Sequence, residues 1–412
     1  MLDIFRILIS FMLVTLLVSC AAPVSSTAIP TALPDSKIDR YPKPDDYRGL
    51  NVYTKLPAYD PNSTDPWQMD LRSSDLTKLD LSKSKENLIH ATFDSKTQWP
   101  ASDKMPVDFD WQTIMEIGKD PGLGVRELHE QGITGKGVNI AIIDQPLIIE
   151  HVEYGDQIRL YEEINIRPET PSQMHGPAVA SIAVGKTIGV APDANLYYLA
   201  TWVFDTTNPS SERLDYSYYA QAVRRIIEIN KELPDDRKIR AISMSIGLVA
   251  TETGYDELKA AIEEAKTAGI FAMTVDLSQT HGWSLMGLGR ASEADPNTFE
   301  SYEPADWWKQ RFLQQGLPTD TLLIPMDSRT TASPTGKEDY VFYRLGGMSW
   351  TVPYLAGMYA LAVQIRPDIT PEEFWETALD TGRTIQIQRD GKNYELGAIL
   401  DPQALIEKIK GN

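Results

Sequence analysis

The chain has 412 residues, 42% of them hydrophobic, which allows one large domain with extensions or two modest ones around a real core. Its 39 basic and 58 acidic residues give a net charge of −19, which excludes a nucleic acid as partner because phosphate binding needs clustered Lys and Arg. The single cysteine, Cys20, excludes an intramolecular disulfide and a thiolate zinc cluster.

In chain order, residues 7–18 form an almost wholly apolar run behind Arg6, too short for an ordinary spanning helix, and residues 1–19 read as a secretory signal. Leu17-Val18-Ser19-Cys20 resembles a bacterial lipobox, which implies cleavage that leaves Cys20 as a lipidated N-terminus. The alternative is an uncleaved anchor with an incidental thiol. Either reading places the bulk of the protein outside the cytoplasm, tethered to the cell membrane, with lipid rather than charge as the attachment. Residues 20–46 carry Pro23, Pro30, Pro34, Pro42 and Pro44 with little to bury, and are expected to be a flexible stalk. Residues 47–122 scatter Trp67, Trp99 and Trp111 among polar turns without a regular period. They read as an N-terminal extension packed on the main domain, or as a propeptide whose removal would free that domain from its anchor.

Strands and helices alternate from residue 123 to the end. The runs 138–143, 195–202, 239–246 and 270–275 are expected to be buried strands, and 176–184, 216–232 and 256–268 helices. That alternation predicts an α/β fold with a mostly parallel central sheet covered on both sides and an N-terminal extension. In such sheets sites form at the carboxyl ends of strands, where Asp144 falls. No internal repeat is present.

Three residues in this frame suit nucleophilic catalysis. Ser349 lies in a small-residue turn opening into an apolar helix, His175 opens an earlier helix, and Asp144 ends a strand before both. An unassisted serine hydroxyl is a poor nucleophile at neutral pH and needs a base to take its proton. Imidazole can accept that proton and return it to a leaving amine, and a carboxylate on the other ring nitrogen fixes the tautomer. Taken singly each has a bland reading, as turn former, helix cap or N-cap. The order Asp, His, Ser distinguishes one way of assembling a triad from the others.

Five collinear blocks carry a family resemblance over residues 124–382. They are Ile140-Ala141-Ile142-Ile143-Asp144, His175-Gly176-Pro177-Ala178-Val179-Ala180, Gly189-Val190-Ala191-Pro192-Asp193, Ser243-Met244-Ser245-Ile246-Gly247, and the serine block from Gly347 through Gly357. The segment resembles the subtilase (subtilisin-like, S8) family of serine peptidases. The resemblance implies a three-layer subtilisin-like fold, Asp144, His175 and Ser349 as the triad, and Ser245, Ile246 and Gly247 as a strand edge that pairs with a substrate backbone. It implies His151 as a structural neighbour of the aspartate loop. It allows calcium, which many subtilases hold, although no liganding loop is recognisable.

The chain also departs from the family pattern. Gln145 and Pro146 replace a small residue and Gly after the aspartate, Ala178 replaces a second histidine, and Met348 replaces the Thr before the serine. The family's oxyanion-hole Asn is absent, and Asp276 or Ser278 is nearest to its place, with Asp276 the candidate donor. No His-Glu-x-x-His, P-loop or dinucleotide glycine pattern offers another chemistry. The insertion 282–327 carries Trp283, Trp307 and Trp308, which either pack it onto the sheet or line a cleft. The expectation is a membrane-tethered extracytoplasmic serine endopeptidase acting on peptides or proteins. The alternatives are a pseudopeptidase of the same fold that binds a peptide or partner in the cleft, and a cell-envelope module using the Trp-bearing extension.

Overall fold

In the computed structural model, residues 36–45, 49–63, 65, 67–202 and 213–411 are described, so Cys20 and the predicted signal lie outside the described residues. Six strands form the central sheet in the order Lys37–Ile38, Ile158–Ile164, Asn195–Thr201, Asn139–Asp144, Ile239–Ser243 and Phe271–Met273. Every neighbouring pair is parallel.

Asn139–Asp144 runs through the middle and is buried at all six positions, as a parallel strand covered on both faces must be. Its alternate side chains divide between two cores. Ile140 and Ile142 join the helices His175–Val184 and Thr351–Ile365 on one face. Ala141 and Ile143 join Ser217–Glu232 and Tyr255–Thr267 on the other. This period of two is what a pleated strand imposes.

The expected flexible stalk is corrected at residues 36–45. Residues 36–45 are ordered, and Lys37–Ile38 is the edge strand beside Ile158–Ile164. Charge and apolar packing both recruit them, since Ile38 packs on the main core and Pro42 is buried. Arg40 grips Glu163 through Nη2 at 2.7 Å and Nε at 2.9 Å, and Lys37 reaches Glu162 at 2.6 Å. Further along, Ser172 N donates to Lys43 O at 2.9 Å and Asp45 N to Pro334 O at 2.9 Å. The edge of the sheet is thereby covered.

Residues 49–122 build a small core of their own from Leu71, Leu76, Leu81, Phe93, Phe109 and Ile114, with Trp99 stacked on Trp111 at 5.9 Å. One member comes from the far end of the chain. Phe342, on Tyr340–Tyr343, meets Phe93 at 5.1 Å, and Phe93–Asp94 pairs antiparallel with that strand. Arg329–Ala332 completes this three-stranded sheet. Helix Trp111–Lys119 lies directly on it, since a Cβ on Gly118 would come within 2.5 Å of Thr330 Oγ1.

The insertion 282–327 contributes Ser284–Arg290, Tyr302–Pro304 and Thr321–Pro325 to a second, five-stranded sheet with Arg383–Arg389 and Lys392–Ile399. Trp283 stacks on Trp375 at 4.8 Å, and the buried Trp308 donates its Nε1–H to Gly287 O at 2.7 Å. Trp307 is exposed. Among the described residues no helix is long and apolar enough to cross a membrane.

Candidate active site

The carboxyl end of the central strand delivers Asp144 into the interior, 1% exposed. Its carboxylate accepts the Gln145 backbone N–H at 2.7 Å and faces His175 Nδ1, with Oδ1 at 2.8 Å and Oδ2 at 2.9 Å. His175 is the first residue of its helix and keeps about a fifth of its side chain exposed. The helix can approach this closely because residue 176 is glycine. A Cβ there would lie 2.2 Å from Gln145 O and 2.6 Å from the Tyr198 hydroxyl oxygen.

Gln145 and Pro146 turn their departure from the family pattern into a clamp. Gln145 Oε1 accepts the His175 backbone N–H at 3.3 Å, satisfying a donor at the helix start. The Tyr198 hydroxyl donates to Gln145 O, and Gln173 N donates to Pro146 O at 2.8 Å. Ala178 is fully buried in the core.

Electrostatics at this pair favour a charged imidazole. Burial pulls the His175 pKa down, but the Asp144 charge and its hydrogen bond outweigh burial, so the pKa is raised above 6.5. With Nδ1 on the carboxylate, Nε2 is the nitrogen left for exchange with a neighbour.

Ser349 lies in the tight turn Met348–Trp350 that leads into Thr351–Ile365. Its hydroxyl donates to Ser245 O at 3.3 Å, while the Ser245 hydroxyl donates to Ser349 O at 2.8 Å. This reciprocal pair ties the serine turn to the end of strand Ile239–Ser243. Among the described residues no hydrogen bond joins Ser349 to His175; the ring centroid of Trp350, next in sequence to Ser349, is 5.4 Å from that of His175. Looser serine–histidine geometry is common when no substrate is bound. Trp350 also meets Tyr343 edge-on at 5.4 Å, and Tyr343 receives a hydrogen bond from Arg72 of the extension at 3.2 Å. Trp350, adjacent to Ser349, was not anticipated, and its position in the motif was the only available signal.

Asp276 follows strand Phe271–Met273, and its Oδ2 accepts the Leu248 N–H at 2.6 Å. That oxygen is 3.5 Å from where a Cβ on the exposed Gly247 would stand. Asp276 therefore borders the 245–247 segment as a hydrogen-bond acceptor. Within the segment, Ile246 O accepts from Val275 N at 3.2 Å and Gly247 O from the Tyr216 hydroxyl at 2.8 Å. All three carbonyls of this segment are thus bonded internally, Ser245 O by Ser349, Ile246 O by Val275 and Gly247 O by Tyr216, whose contact across 31 residues leaves no local signature.

His151 sits apart from these groups, 1% exposed, with Nε2 donating to Asp339 O at 3.0 Å and Nδ1 accepting from Glu153 N at 3.2 Å. Burial lowers its pKa, which suits a neutral structural imidazole. Among the described residues no cluster of three or more His, Cys, Asp or Glu is placed to hold a metal ion.

Residues 135–276 match the model of the subtilase family. The chain is 26% identical over 303 residues to serine protease AprX of Bacillus subtilis, covering 65% of this chain and 66% of that protein. It is 26% identical over 251 residues to subtilisin E of the same organism, covering 59% and 60%. It therefore spans less than two thirds of either relative. The solved structure of the prenylagaramide maturation protease PagA superposes with a TM-score of 0.47 at 17% identity, over 70% of this chain and 99% of that one. The match to the subtilase model begins before the strand ending in Asp144 and runs through the His175 helix and the 245–247 segment to Asp276.

Proposed function

We propose that this protein is a serine endopeptidase that hydrolyses peptide bonds through Asp144, His175 and Ser349, outside the cytoplasm and tethered to the cell membrane by lipid on Cys20. The observation that carries the catalytic reading is the placement of both Asp144 oxygens within 2.9 Å of His175 Nδ1 on a solvent-touching imidazole. In this mechanism the Ser349 hydroxyl rotates from Ser245 O towards His175 Nε2, which takes the proton as Oγ bonds to the scissile carbonyl carbon. Collapse of the tetrahedral intermediate breaks the C–N bond, the imidazolium protonates the departing amine, and water then hydrolyses the acyl-enzyme by the same steps in reverse. Asp144 keeps its bond to Nδ1 throughout and stabilises the imidazolium.

A second reading, a pseudopeptidase that binds a peptide or partner protein, is favoured by one observation: Ser349 donates to Ser245 O. A fluorophosphonate probe separates the two. Labelling of the wild type that vanishes in Ser349→Ala supports the peptidase, and an unlabelled folded wild type overturns it. Because the His175 pKa is raised, the labelling rate should fall on acidification with a midpoint above 6.5.

The oxyanion donor is open to a direct gain-of-function test. An ionised Asp276 has no proton to donate, whereas Asn at this place keeps an oxygen for Leu248 N and adds an N–H. Asp276→Asn is expected to raise kcat on a peptide anilide about 10²- to 10³-fold, the range assigned to a single oxyanion donor. An unchanged or lower kcat would remove Asp276 from that role.

A further inference from the structure

A buried carboxylate outside the triad holds the approach to Ser349. Asp327, 2% exposed, accepts the Gly346 backbone N–H on Oδ1 at 2.7 Å, three residues before the serine. The turn that carries it is fixed on every side. Met326 N and Asp327 N both donate to Leu288 O at 3.1 Å, and Ser328 N donates to Arg344 O at 3.1 Å. The Ser328 hydroxyl donates to Arg290 O at 2.6 Å, and Arg290 Nη2 donates to Ser328 O at 2.7 Å. Ser328 adopts φ of +54°, a costly conformation for a residue with a Cβ, kept by these surrounding bonds.

Glycines bring the parts into contact. A Cβ on Gly289 would sit 3.3 Å from Asp327 Oδ2, one on Gly287 2.2 Å from Met326 Sδ, and one on Gly346 2.4 Å from Met326 O. The 344–347 loop is thus pressed onto the turn, with Arg344 N bonded to Thr92 Oγ1 of the extension at 3.1 Å on its other side.

We propose that Asp327 is a positioning residue for Ser349: its ionised carboxylate holds Gly346, and through it the Gly347–Ser349 turn, in the geometry required for attack. The effect on catalysis rests on the peptidase reading above; the effect on the loop does not. A charge-assisted bond to an amide is stronger than one to a neutral carboxyl, so protonation loosens the hold. Burial pushes the Asp327 pKa up to about 7, against the pull of Arg344 and the Gly346 N–H, with Asp306 and Glu303 adding to the push. Glu303 is itself bound by Lys309 and Arg389. Because the folded pKa lies above the unfolded one, the stability this group confers at low pH is lost as pH rises through about 7. The geometry is kept at a cost in stability, as functional sites often are.

The test is amide hydrogen exchange on the peptide containing Gly346, corrected for intrinsic rates, in the full chain and in Asp327→Asn between about pH 6 and about pH 8.5. The wild type should exchange about tenfold more slowly at the upper pH, while the variant shows no such change. Fluorophosphonate labelling should lose two protons' worth of slope on its acid limb in the wild type and one in the variant, and the variant should melt higher at alkaline pH. Equal pH dependence of exchange in both proteins overturns the proposal. Should the variant not fold, a flat wild-type exchange profile overturns it alone. Absence of labelling at every pH, with the exchange difference present, overturns the peptidase reading and leaves the hold on Gly346 standing.

Discussion

Asp144→Asn is expected to lower kcat/KM on a peptide substrate by about 10⁴-fold while leaving the fold intact. An amide has nearly the shape of the carboxylate, and it can still accept the Gln145 N–H, so the buried site keeps its packing. What is lost is charge. With an oxygen facing Nδ1, the amide still orients the ring but no longer stabilises the imidazolium; with its N–H₂ there, it forces the wrong tautomer. The titration should move with the rate. Two causes raise the His175 pKa, and both come from Asp144. Without them burial alone remains, so the His175 step of the acid limb should shift below 6.5, opposite to its displacement in the wild type, while the Asp327 step stays in place. A variant that retained wild-type turnover, or lost it with no shift of that limb, would remove Asp144 from the base-orienting role.

Phe342→Ala should damage the fold severely, costing about 3–5 kcal/mol in denaturant unfolding. Phe342 is fully buried and is the member of the extension's core that comes from the strand leading to the serine loop. Its loss empties the space beside Phe93 and loosens the pairing of Phe93–Asp94 with Tyr340–Tyr343. Since Arg344 follows that strand, the fluorophosphonate labelling rate should fall together with stability. If stability fell by under about 1 kcal/mol, the extension would be a lightly attached appendage, as a removable propeptide would be.

Four central strands were legible because parallel strands covered on both faces demand near-continuous apolar runs, and Ile140 through Ile143 is such a run. Ile158–Ile164 was not, because Arg159, Glu162 and Glu163 interrupt it. The acids at its edge make sense only beside Lys37, Arg40 and Arg225, partners that sequence distance hides. The same charges help explain why a proline-rich stretch expected to be loose is bound from residue 36 onward. The Asp144 and His175 positions were readable from their blocks and the order of residue types. Gln145 as a clamp, Tyr216 on Gly247 O and Asp327 under Gly346 were not, since each acts through a contact made only in three dimensions. The extension hid its core for a related reason: its apolar residues are spaced by turns rather than by a helical or strand period.

The seam between the extension and the serine strand also dictates an order of events during synthesis. Ser95 and Tyr340 bond across 245 residues, so the first-made part of the ordered chain lacks its partner until most of the polypeptide exists. Pairing over such a separation is slow, because loop closure must precede any gain from the contacts it brings. The strand that locks the early segment in place leads straight into the turn bearing Ser349. Completion of the Ser349 turn and of the N-terminal core are therefore one terminal step, and a nascent chain has neither.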